Sequence, residues 1–90
     1  MKYFTIAELC RSNTADKFLI DNKCTKEQAA NMMALVNNVL DPLREAYGKP
    51  IRVNSGFRCE KLNKKVGGSK TSDHLHGMAA DITAGIPKEN

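Results

Sequence analysis

The spacing of apolar residues changes character twice along this chain. Ala29, Met32, Met33, Val36, Val39, Leu40, Leu43 and Tyr47 recur at three- and four-residue steps. That spacing predicts one long helix carrying a single apolar stripe that packs as core. Thr25-Lys26-Glu27-Gln28 has the capping-box form that opens such a helix, and Gly48 supplies its C-terminal stop. Pro42, inside it, has no N–H for the Asn38 carbonyl, so a kink is expected there. Upstream, Thr5-Ile6-Ala7-Glu8 is another capping box. It predicts a short helix through about Arg11, closed by Ser12-Asn13. Ala15–Ile20 reads as a further short turn and Asp21-Asn22-Lys23 as a loop.

Beyond Gly48 the period drops to two. Ile51-Arg52-Val53-Asn54 alternates as a short strand. Cys59–Lys65 fits one or two helical turns, and Val66-Gly67-Gly68-Ser69 is a turn or loop. In Ala79-Ala80-Asp81-Ile82-Thr83 a second strand places Ala80 and Ile82 on one face and Ala79, Asp81 and Thr83 on the other. This order predicts an α+β fold in which the long helix packs on a small antiparallel sheet. All of residues 1–90 read as one domain, with no repeat, low-complexity tract or linker.

Composition changes this picture little. At 41% hydrophobic and 27% charged residues, the chain is an ordinary globular one. Ninety residues stand near the size where a single core gives marginal stability. The net charge of +4 suits an anionic cell wall, but a basic surface of this size is more often simply a solubilising one. No basic cluster is interleaved with aromatics, which argues against a nucleic-acid partner. Cys10, Cys24 and Cys59 are odd in number and lack CxxC spacing, so a disulfide framework is not expected. Neither a signal peptide nor a membrane span is visible. The expectation is synthesis in the cytoplasm, with any access to a cell wall through lysis or another export route.

Candidate chemistry sits in the run from Ser72 to Asp81. His74 and Asp81 are a nitrogen and an oxygen donor of the kinds that bind zinc at about 2.0–2.2 Å, and two such donors stand about 3–3.5 Å apart around the ion. A straight helix would separate them by about 10 Å, so the chain must turn back, and Gly77 is able to take a positive-φ turn. Asp81 in a half-buried strand carries a desolvation cost unless partnered, by a metal or by Arg52 or Arg58 in a salt bridge. His76, two residues from His74, and the neighbouring Asp73 read as surface residues.

Asn54-Ser55-Gly56-Phe57-Arg58, Leu62-Asn63, Val66-Gly67-Gly68-Ser69 and Ser72-x-His74-x-x-Gly77-x-Ala79-x-Asp81 together resemble the signature of the M15 zinc metallopeptidases. These are D-alanyl-D-alanine carboxypeptidases and related peptidoglycan-cleaving endolysins of phages and bacteria, here of M15A type. The resemblance runs from about Phe4 onward and is densest over Ile51–Thr83. It implies the carboxypeptidase-like fold, a catalytic Zn²⁺ with His74 and Asp81 as two of its three protein ligands, and peptidoglycan stem peptides as substrate. By the same resemblance Arg58 steadies the substrate or the anionic transition state, and Ser72 is a lesser substrate contact.

The family takes its third ligand from a later histidine and its general base from a carboxylate shortly before it. No histidine follows Asp81 here, and Glu89 follows Asp81 too closely to match the base. The resemblance therefore implies a domain truncated before the third ligand, with an incomplete zinc site and no activity as an isolated chain. The missing part would leave a sheet edge exposed to self-association. The alternative expectation is a non-catalytic wall-binding or interaction module on the same scaffold.

Overall fold

The computed structural model describes residues 2–84. The long helix is present as α3 (Lys26–Leu35), a π-helical turn (Val36–Leu40) and α4 (Asp41–Tyr47). Its capping box is complete: the Gln28 amide donates to Thr25 Oγ1 at 3.1 Å and the Thr25 amide to Gln28 Oε1 at 2.8 Å. Pro42 is accommodated by widening the helix. The Asp41 N–H reaches back five residues to the Val36 carbonyl, and the proline then falls in the first turn of α4, where its missing donor is not needed.

The single stripe read from the sequence divides in two. Met32, Val36 and Leu40 are buried, whereas Met33, Val39, Leu43 and Tyr47 are between 40% and 50% exposed. A helix widened by a π turn keeps a four-residue spacing in one seam, and the remaining apolar positions flank it.

Near the N-terminus, Thr5 caps α1 (Ile6–Cys10) by accepting from the Glu8 amide. Ser12 was expected to close this helix and instead opens the next. Its hydroxyl accepts from the Ala15 amide at 3.1 Å and caps α2 (Asn13–Lys17), the role for which serine is favoured. The amides of Lys2 and Tyr3 both donate to the Asp41 carboxylate, at 2.6 and 3.0 Å, tying the N-terminal segment to α4.

Two antiparallel strands, β1 (Ile51–Ser55) and β2 (Asp81–Ala84), form the sheet, so the fold is α+β as expected. Ile51 pairs with Ala84, Arg52 with Thr83 and Val53 with Ile82; the register then slips by one residue, so that Ser55 meets Asp81. Asn54 is the extra residue, and its carboxamide donates to Thr83 Oγ1 at 2.6 Å. Ile51 and Val53 point into a core with Phe4, Leu9, Met32, Val36, Leu40 and Phe57. Ala15, Ile20 and Leu62, the last from α5 (Glu60–Lys65), make a smaller cluster bordered by Cys59. No helix among the described residues is long and apolar enough to cross a membrane.

Candidate metal centre

The chain between Ser72 and Gly77 is a single 3₁₀ turn, Asp73–His76, and each end has a local cause. Ser72 Oγ accepts from the His74 amide at 3.2 Å and starts the turn. Gly77 ends it in the left-handed conformation at φ 74°, with a position for Cβ only 2.6 Å from the Gln28 carbonyl oxygen. A side chain there would be strained and would also collide with α3. Two side chains of α3 hold the turn from the same side. Gln28 Nε2 donates to the Leu75 carbonyl at 3.1 Å and Asn31 Nδ2 to that of His76 at 2.8 Å.

On its other side, the turn is gripped by the segment that continues β1. The Arg58 amide donates to the His74 carbonyl at 3.0 Å. His74 is buried, and its Nδ1 lies 2.6 Å from the Gly56 carbonyl oxygen. A carbonyl oxygen can only accept, so Nδ1 carries the proton and Nε2 is left to face outward. Nε2 faces Asp81 Oδ2 at 3.5 Å. The bulge at Asn54 matters here: it sets Asp81 opposite Ser55, next to the residue whose carbonyl orients the imidazole. One strand end thus places both side chains.

An imidazole lone pair facing a carboxylate oxygen is a repulsive arrangement until a cation stands between them. A proton on Nε2 or a metal ion would serve. The 3.5 Å separation is that of two ligands bound at about 2.1 Å to one tetrahedral ion, and the Nδ1–H···O=C bond is the usual support of a metal-binding histidine. The donor pair therefore fits zinc. Among the described residues no group of three or more histidine, cysteine, aspartate or glutamate side chains stands close enough to hold a metal.

The other expected site residues are distributed around this pair. Ser72 Oγ receives Arg58 Nη2 at 3.3 Å as well as capping the turn. Arg58 Nε is buried with no hydrogen-bond partner among the described residues. Asp81 differs from expectation: its side chain is 66% exposed, so burial does not force a partner on it. The sheet has only two strands among the described residues, which leaves that edge open to solvent. Neither Arg52 nor Arg58 pairs with it among the described residues. His76 and Asp73 are exposed, as read from the sequence. Glu89 lies outside the described residues. Nothing in the residue pattern announces the parts played by Asn22, Gln28 and Asn31, whose carboxamides bond to backbone groups far along the chain. Gln28 was legible as a cap, but nothing about an asparagine in a loop or on a helix announces a distant partner.

Fold and geometry together define a class: a small α+β domain with a histidine–carboxylate pair, suited to a metal ion, at the end of its sheet. The chain belongs to the peptidase M15 family, whose profile matches residues 2–89. It is 44% identical over 86 residues to the zinc D-Ala-D-Ala carboxypeptidase of Streptomyces albus G. That match covers 91% of this chain and 31% of the relative, so the chain spans about a third of the relative's length.

Proposed function

We propose that this chain provides His74 and Asp81 to the zinc centre of a hydrolase that cuts peptidoglycan peptides, of the D-Ala-D-Ala carboxypeptidase or endopeptidase type. One observation carries the reading: His74 Nε2, its tautomer fixed by the Gly56 carbonyl, faces Asp81 Oδ2 at 3.5 Å, the separation of two ligands on one tetrahedral ion. Family membership and the zinc carboxypeptidase relative support it. Bound zinc would supply a Lewis acid that acidifies water and polarises a peptide carbonyl.

The chain's own residues hold and orient. Gly56 orients the imidazole ring, and the Asn54 bulge sets the Asp81 backbone opposite Ser55. Arg58 keeps one guanidinium nitrogen on Ser72 and has an unpartnered buried Nε–H, so donors remain for a substrate carboxylate or a developing oxyanion. Ser72 holds that guanidinium and is the lesser substrate contact. The reading requires a third protein ligand and a general base beyond the described residues.

The test is zinc stoichiometry and affinity of the purified chain by calorimetry, with His74→Ala and Asp81→Asn as controls. One zinc per chain, with affinity reduced at least tenfold in both variants, is the expected result; hydrolysis of a peptide ending in D-Ala-D-Ala is then assayed. No zinc uptake at micromolar metal overturns the reading for this chain. Retention on purified peptidoglycan without cleavage would then favour the wall-binding alternative.

A further inference from the structure

Asn22 lies in the loop between α2 and α3, far in sequence from every residue of the candidate centre, and its carboxamide makes three hydrogen bonds to backbone groups. Nδ2 donates to the Cys10 carbonyl at 2.8 Å and to the Phe57 carbonyl at 2.9 Å. Oδ1 accepts from the Cys59 amide at 2.7 Å. Phe57 and Cys59 are the two neighbours of Arg58, so one side chain brackets Arg58 through the backbone on either side. The same segment is anchored to the end of α1 by the Phe57 amide, which donates to the Leu9 carbonyl at 2.9 Å. Gly56 approaches that carbonyl so closely that a Cβ on it would collide with the oxygen.

The bracketed segment is the one that grips His74. Gly56 accepts from the imidazole and the Arg58 amide bonds the His74 carbonyl, so ring and backbone are both held by residues that flank Phe57. We propose that Asn22 is a positioning residue for the His74 imidazole and the Arg58 guanidinium, acting through the 56–59 backbone. Without its carboxamide, the carbonyls of Cys10 and Phe57 and the Cys59 amide lose their shared partner. The segment is then free to move, and a displacement of about 1 Å carries the Gly56 carbonyl out of hydrogen-bond range of Nδ1, which it meets at 2.6 Å. What His74 is positioned for rests on the function proposed above; the clamp itself does not.

The experiment uses the full chain, metal-free and ¹⁵N-labelled, at a pH where imidazoles are neutral. Long-range ¹H–¹⁵N spectra report which ring nitrogen of His74 carries the proton. Wild type is expected to show the Nδ1–H tautomer. Asn22→Ala is expected to move His74 toward the Nε2–H form and to speed exchange of the Arg58 and Cys59 amides at least tenfold. Leu40→Ala, which loosens the core that Leu9 and Phe57 share but removes none of the clamp's hydrogen bonds, is the control and should keep the wild-type tautomer.

Asn22→Asp keeps the acceptor for Cys59 but sets a negative charge against two carbonyls. It should disturb His74 as Asn22→Ala does, and it carries the test if that variant fails to fold. In wild type, the Asn22 carboxamide protons and the Arg58 amide should exchange together. A folded Asn22→Ala with an unchanged tautomer and unchanged Arg58 exchange overturns the proposal, as does independent exchange in wild type. Zinc affinity, expected to fall about 10–100-fold in the variants, is read separately. A wild type that binds no zinc would fail the proposed function while leaving the tautomer result to decide the clamp.

Discussion

The long helix and the His74 turn are held by opposite means. Around α3 and its π turn, Met32, Val36 and Leu40 pack against Phe4, Leu9, Ile51, Val53 and Phe57, contacts made almost entirely by carbon. Around His74, amide groups do the holding: Asn22, Gln28 and Asn31 each bind backbone carbonyls more than ten residues away. Apolar packing is non-directional and tolerates rearrangement, so it stabilises a fold without fixing any atom closely. Hydrogen bonds to carbonyls are directional, so they set an imidazole ring within a few tenths of an ångström. The molecule thus separates stability, in the helix seam, from precision, in the polar clamps.

The largest effect should come from breaking the seam. Leu40 is 4% exposed, and Leu40→Ala should cost about 2–5 kcal/mol, through lost burial and the cavity left behind. Urea denaturation measures this. If the two regions are separate in role, zinc affinity of the still-folded protein will stay within twofold of wild type. A large loss of metal binding in Leu40→Ala would erase the distinction.

Gly77→Ala should reverse that pattern. The left-handed backbone alone costs an alanine about 1–2 kcal/mol. The methyl would also meet the Gln28 carbonyl, so relief requires the 3₁₀ turn to lift off α3. The lift pulls on Leu75 and His76, which Gln28 and Asn31 hold, and swings His74 away from Gly56. The expected outcome is a smaller stability loss than Leu40→Ala and a larger loss of zinc affinity, checked by the same two measurements.

Seam and clamps also differ in how far the sequence disclosed them. Periodicity exposed the long helix, both strands and the α+β order because burial of one face imposes a repeat on residue type. It overstated the seam, since Met33, Val39, Leu43 and Tyr47 share the spacing but not the burial. It mistook Ser12 for a stop because a serine caps the helix after it and nothing local says which helix that is. His74, Asp81 and Gly77 were legible as a pattern of residue types. The Gly56 carbonyl that orients His74 was not, because a backbone oxygen has no signature in sequence. Nor was the Asn54 bulge, which depends on how β1 meets a strand far along the chain.

Cys10 sits on the border between the two regions and offers the finest test of where it runs. Its side chain packs beside the core, while its carbonyl receives Asn22. Burial, with a smaller contribution from the Cys24 thiol, pushes the Cys10 thiol up to about 12. The folded value exceeds the ordinary thiol value of about 8.5, so the folded chain keeps a proton that the unfolded chain releases. Stability from this group is intact below that ordinary value and declines as pH rises toward the folded one. Near pH 8, alkylation of Cys10 should be at least about a hundredfold slower than in urea-unfolded protein, as mass spectrometry of iodoacetamide-treated samples can follow. Asn22→Ala releases the Cys10 carbonyl without touching the core packing of its thiol. If the border falls within this residue, Cys10 will stay unreactive in that variant even as His74 is freed. Rapid alkylation of Cys10 there would mean that the clamp, and not the seam, keeps this end of α1 closed.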